Sequence, residues 1–78
     1  MSEYEVVDIY APPGTIVYYL EENGYDSERE NASVFFQKHQ KLTIYHSKIG
    51  NWRTDMEFVE CPNVWFNSAM FGVKNEQT

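Results

Sequence analysis

With Cys61 as its one cysteine, the chain can form no internal disulfide. That matters in 78 residues, because a domain of this size buries only about 60% of the surface its unfolded chain exposes. Small domains commonly gain stability from disulfides, metals or self-association. Here the core either suffices or is completed by a partner, and a homodimer through an edge strand or exposed aromatics is one expectation. No apolar run reaches membrane-spanning length. The opening Met-Ser-Glu-Tyr-Glu is acidic where a secretory signal would be basic and then apolar. Together with the lone thiol, it predicts a protein of the reducing cytoplasm.

The sequence is equally short of catalytic and metal-binding signals. His39 and His46 fall on different predicted elements with no further Cys or His at ligand spacing, so no metal site and no cofactor is expected. Nothing marks Cys61, just before Pro62, as thiolate-stabilising, so it reads as an inert thiol. The four glycines are scattered and form no phosphate-cradling loop. Asp55 and Glu57 share a predicted strand face and could share a divalent cation or form an acid–base pair; two carboxylates on such a face are ordinarily just solvated. The expectation is a protein that is not an enzyme.

Basic residues are few, six against twelve acids, for a net charge of −6. The imbalance is concentrated. Residues 1–37 carry Glu3, Glu5, Asp8, Glu21, Glu22, Asp26, Glu28 and Glu30 against Arg29 alone, a net of −7, while residues 38–78 come to +1. Such asymmetry can present a face of one sign, or simply a solvated surface. Aromatics, by contrast, are plentiful. Thirteen rings are more than so small a domain buries easily, so several are expected at the surface, where Tyr and Trp anchor interfaces.

Along the chain, Tyr4 to Tyr10 is β-branched and aromatic and reads as a strand. Ala11-Pro12-Pro13-Gly14 is a turn, and Thr15 to Leu20 a second strand, with Ile16, Tyr18 and Leu20 on one face and Val17 and Tyr19 on the other. Ser27 and Glu30 have capping-box spacing and predict a helix to about Lys38, with Ala32, Phe35, Phe36 and His39 as its apolar stripe. Strands follow at Leu42–His46 and Thr54–Glu60, then a turn at Pro62-Asn63 and a last strand from Val64. The order β-β-α-β-β-β predicts one α+β domain over residues 1–78, with residues 1–3 and 74–78 frayed. Its architecture would be a small curled antiparallel sheet or an SH3-like barrel with one short helix.

The second half carries a resemblance. Gly50-Asn51-Trp52-Arg53-Thr54-Asp55-Met56-Glu57-Phe58 and Cys61-Pro62-Asn63-Val64-Trp65-Phe66-Asn67-Ser68-Ala69-Met70-Phe71 resemble a pattern of small phage and bacterial proteins, G-x-W-x-T-D-V-x-L followed by P-x-V-x-F-N-S-V-x-F. Gly14 to Tyr19 and Asn23-Gly24-Tyr25 are similar to that family's opening strand and loop, so the likeness spans roughly residues 14–71. It implies an SH3-type barrel with a helix inserted after the first strands and a phage or its host as the source. It brings no enzymatic activity with it. This chain departs by its acidic Glu3–Asp8 segment and by Cys61 in place of a bulky apolar residue. The polar Thr54, Asp55, Asn67 and Ser68 are expected to bond nearby backbone at turns and strand ends.

Two functional expectations follow. The first is a non-enzymatic protein-binding module, a phage-type acidic inhibitor whose carboxylates mimic DNA phosphates. It would block the DNA-binding face of a basic host protein in the host cytoplasm, an HU-like nucleoid protein or RNA polymerase being candidates. Glu3, Glu5, Asp8, Glu21, Glu22, Asp26, Glu28 and Glu30 would form that surface. The second is a small barrel binding nucleic acid or peptide through Tyr45, Trp52, Arg53 and Trp65, with Lys38, Lys41 and Lys48 adding charge. Direct nucleic-acid binding is disfavoured by the scarcity of cations.

Overall fold

The alternation of apolar and polar residues in the sequence is realised as strands wherever a run can turn one face to a helix. In the computed structural model, which describes residues 3–74, six strands form one antiparallel sheet. In chain order they are β1 (Tyr4–Val6), β2 (Ile16–Tyr19), β3 (Lys41–Ile49), β4 (Thr54–Phe58), β5 (Cys61–Asn67) and β6 (Phe71–Lys74). One helix, α1 (Asp26–Phe35), lies between β2 and β3, and a 3-10 turn, Ser68–Met70, links β5 to β6. Across the sheet the order is β1-β6-β2-β3-β4-β5. β1 and β5 are the two edges, so the sheet is not closed; of the two expected architectures, the α+β small antiparallel sheet with one helix is the one observed.

The core lies between α1 and one face of the sheet. Val17 and Tyr19, not Ile16 and Tyr18, turn inward from β2 and are fully buried, as are Leu42, Ile44, Met56, Phe58 and Phe71. From the helix side come Ala32 and Phe36. Aromatic rings fill the centre: Phe58 and Phe71 stand 4.5 Å apart, Phe36 and Phe66 4.9 Å, and Tyr19 and Phe71 5.6 Å. Each buried ring removes a large apolar area from water, which is how so short a chain builds a core. Tyr19 also holds the helix in place, its hydroxyl donating to Arg29 O at 3.1 Å and meeting Ser33 Oγ at 2.9 Å.

Several boundaries differ from those expected. The first strand stops at Val6, because Asp8 closes a turn by accepting from Tyr10 N–H through Oδ1 and from Ala11 N–H through its carbonyl. The helix is capped two residues early, at Tyr25, whose N–H donates to Glu28 Oε1 at 3.0 Å, so Glu28 fills the role expected of Glu30. It ends at Phe35, since Phe36 is already extended, and His39 has φ of 65°. His39 thus leaves the expected stripe and stacks on Tyr4, with ring centroids 4.5 Å apart. The final hairpin turns at Val59-Glu60, not at Pro62-Asn63. Pro62 sits inside edge strand β5, where a missing backbone donor is tolerated. A sixth strand, β6, falls outside the expected order, and it lies between β1 and β2. Lys74, expected to be frayed, pairs with Tyr4. The fraying expected of residues 1, 2 and 75–78 lies outside the described residues.

Candidate functional site

The eight acids of the first half do not form a single free surface. Glu28 is drawn inward, its side chain 18% exposed. It accepts from Tyr25 N–H and, at 3.2 Å, from Asn67 Nδ2, and lies 2.6 Å from Arg53 Nη1. Burial alone would raise the Glu28 carboxyl, but the bonds from Tyr25, Asn67 and Arg53 outweigh it and hold the group below its ordinary value. Asp26 is paired with Arg29 at the start of the helix. Glu3, Glu5, Asp8, Glu21, Glu22 and Glu30 remain exposed.

Their placement follows from the topology. Glu5 pairs with Val73 on β6, and Val73 packs against the core, so Glu5 projects on the helix side of the sheet at its β1 edge. Glu21, with φ of 58°, turns the chain out of β2, and with Asp26 and Glu30 it lines an open concavity of about 640 Å³. Arg29 is the cation there, and it is already committed to Asp26 and to the carbonyls of Asn23 and Gly24, at 2.7 and 3.0 Å. Glu21, Asp26 and Glu30 thus lie together beside α1, while Glu5 lies on β1.

The alternative surface is brought together only in pieces. Trp52, in the β3–β4 turn, is 97% exposed. With Val6, Val7, Ile9, Thr54 and Ser68 it lines a cleft of about 450 Å³, so residues from both halves of the resemblance meet there. Trp65 lies beside Arg53 in a smaller cleft. Tyr45 reaches Trp65 only through His46, whose ring is 4.1 Å from Tyr45 and stacked at 6.3 Å from Trp65. Arg53 is not free to meet a phosphate. Its guanidinium donates to Asp55 Oδ1 from Nε at 2.9 Å and from Nη2 at 2.5 Å, besides its pairing with Glu28. Burial would lower its pKa, but the carboxylates of Asp55 and Glu28 keep it above the usual value.

Asp55 is held by Arg53, while Glu57 accepts from Asn63 N–H through Oε2 at 2.7 Å. Contrary to its reading as a solvated group, Glu57 is buried, with 8% of its side chain exposed. Asn67 bears out its expected backbone role, accepting from Ala69 N–H at 3.1 Å to cap the 3-10 turn. Burial raises the Cys61 thiol pKa. Among the described residues no cluster of three or more His, Cys, Asp or Glu is placed to hold a metal, and no helix is long and apolar enough to cross a membrane.

Among known proteins, the family model described as Bacteriophage T4 protein Y07B matches residues 8–78. No curated protein and no solved structure matches the chain.

Proposed function

The chain belongs to the bacteriophage T4 protein Y07B family, and we propose, from its charge, that it is a non-enzymatic phage protein that binds another protein, an acidic inhibitor that mimics DNA. Its target would be the DNA-binding face of a basic host protein in the host cytoplasm, with an HU-like nucleoid protein or RNA polymerase as candidates. The observation that supports this reading is the state of the two arginines. Arg29 and Arg53 are both neutralised by carboxylates, while Glu3, Glu5, Asp8, Glu21, Glu22 and Glu30 stay exposed. The charge offered to a partner by residues 3–37 is therefore acidic. A surface of that sign is attracted to a basic groove, speeds encounter and competes with DNA for it.

A second reading takes Trp52 as the anchor of a peptide-binding surface. Its support is the 97% exposure of the ring beside the apolar Val6 and Ile9. Buried Trp anchors are common among the residues that dominate interfaces. The nucleic-acid version of this reading is weakened, because Arg53 is tied to two carboxylates.

The test is affinity capture from bacterial lysate with the tagged protein, eluted in salt steps and identified by mass spectrometry. Mimicry expects a basic DNA-binding protein, released as salt rises and displaced by added DNA. Four charge reversals, Glu3, Glu5, Glu21 and Glu22 to Lys, should abolish that capture. Recovery of nucleic acid, or of a neutral protein through salt-resistant contacts, rejects it.

A further inference from the structure

Glu57 sits where the strands on both sides of it bulge. On β3 the register shifts between Ile44 and His46, so Tyr45 and His46 together oppose Glu57. On β5 the register runs from Met56↔Phe66 to Phe58↔Cys61, leaving residues 62–65 across from the same position. Bulges at sheet edges re-aim side chains and open the ladder beside binding sites. Here Met56 and Phe58 point into the core, so Glu57 turns to the opposite face. The bulged residues rise around it, and Tyr45, Val59, Pro62 and Asn63 wall a cleft of about 340 Å³ that Glu57 lines. That volume lies within the range of small-ligand pockets, about 300–1,000 Å³.

The floor of this cleft is a charge with incomplete compensation. One carboxylate oxygen accepts from Asn63 N–H, a bond made possible by the positive φ of Asn63, 68°. The other lies 3.9 Å from His46 Nε2, too far for a hydrogen bond and an ion pair only when the imidazole is protonated. A buried carboxylate is costly unless it is paired and hydrogen-bonded. Arg53 does not supply the missing cation, since it is held by Asp55 and Glu28. The walls suit an incoming cation. Tyr45, which lines the cleft, is 49% exposed, and aromatic faces attract ammonium and guanidinium groups.

We propose that the Glu57 cleft is a specificity pocket for one lysine or arginine side chain of a partner protein, whose cation pairs with the free side of the carboxylate while its aliphatic stem lies against Tyr45, Val59 and Pro62. This rests on the reading of the chain as a protein-binding module, but not on DNA mimicry. The pocket lies on β3–β5, and the exposed acids of residues 3–30 lie on β1, α1 and the loops beside them.

The experiment is an amide-shift titration of the isotopically labelled protein with capped Gly-Lys-Gly, Gly-Arg-Gly and Gly-Leu-Gly peptides. The expected result is saturable shifts at Tyr45, His46 and Asn63 with the lysine or arginine peptide and none with the leucine peptide. Glu57→Gln keeps an acceptor for Asn63 N–H and removes the charge, and should weaken binding at least tenfold. Tyr45→Ala leaves the carboxylate in place and should weaken it several-fold, which keeps the proposal testable if Glu57→Gln does not fold. Glu21→Gln with Glu22→Gln should leave the titration unchanged. Equal response to leucine, undiminished binding by Glu57→Gln or by Tyr45→Ala, or shifts confined to Glu21, Glu22 and Glu30 would overturn it. The four charge reversals test mimicry through capture from lysate, and the peptide titration tests the pocket independently of them.

Discussion

Arg53 Nη1 stands 2.6 Å from Glu28 Oε2, joining the first turn of α1 to the start of β4 across 25 residues of chain. Glu28 also accepts from the helix cap and from Asn67, so one carboxylate ties three elements together. Its pKa is depressed on folding, so its contribution to stability is present above the ordinary value of 4.5 and is lost as pH falls through the lower folded value. Glu28→Gln retains an acceptor but not the charge, and should cost about 1 kcal/mol at pH 7, a modest figure because Arg53 is partly solvent-screened. The gap between parent and variant in urea midpoint should close as the pH drops below 4.5. A gap constant from pH 7 to pH 3 would refute this role.

Gly72 is required by the approach of β1. A Cβ there would lie 2.6 Å from the Glu5 carbonyl oxygen and 3.0 Å from Leu20 Cδ1. Leucine can shift, but a backbone carbonyl in a paired strand cannot without moving the strand. Gly72→Ala should therefore lever β1 off β6 at a cost of about 1–3 kcal/mol, the usual range for overpacking. Amide exchange should rise first at Val7, whose N–H donates to Phe71 O at 3.0 Å. Unchanged protection of Val7 would show that the strand tolerates the methyl.

These two residues also mark what the sequence could and could not reveal. The helix, its Ala32 and Phe36 contacts and the long alternating strands were legible because their periodicity is local. The helix start was not. Tyr25-to-Glu28 and Ser27-to-Glu30 have the same spacing, and the frame is chosen by Arg53 and Asn67, which lie far along the chain. β6 was hidden because a four-residue run containing glycine carries little strand signal, and its need for Gly72 comes from a neighbour 67 residues away. The Val59-Glu60 turn was hidden likewise, since neither residue is a turn former. Glu60 is held there by accepting from Thr43 N–H at 2.8 Å and from Thr43 Oγ1 at 2.9 Å. Of the candidate sites, the acids could be named from sequence, but the inward turn of Glu28 and the burial of Glu57 depend on strand register.

Tyr19→Phe removes the hydroxyl that bonds Arg29 O and Ser33 Oγ while leaving the ring in the core. The expected loss is about 1 kcal/mol, seen as a lower urea midpoint with an unchanged slope. Adding Ser33→Ala to that variant should cost less than Ser33→Ala alone, because the two share one bond. Strict additivity would place the stabilisation elsewhere.

The raised pKa of Cys61 leaves little thiolate near neutral pH, and the thiolate is the form that reacts. Alkylation by iodoacetamide at pH 8 should be several-fold slower in the folded protein than in urea. Reaction as fast as in the unfolded chain would mean that burial does not govern this thiol.

Trp52 separates the two functional readings without disturbing the fold. At 97% exposure it contributes almost nothing to the core, so Trp52→Ala should change stability by no more than about 0.5 kcal/mol, the scale of ordinary surface substitutions. Under acidic mimicry the variant should still capture its basic partner, with the same salt dependence, because the exposed acids and their field are untouched. Under the peptide-anchor reading, capture should fall by tenfold or more and the remainder should be indifferent to salt. The comparison is informative only because the side chain is so exposed: a defect in binding by a variant of unchanged stability assigns the contact to the ring itself.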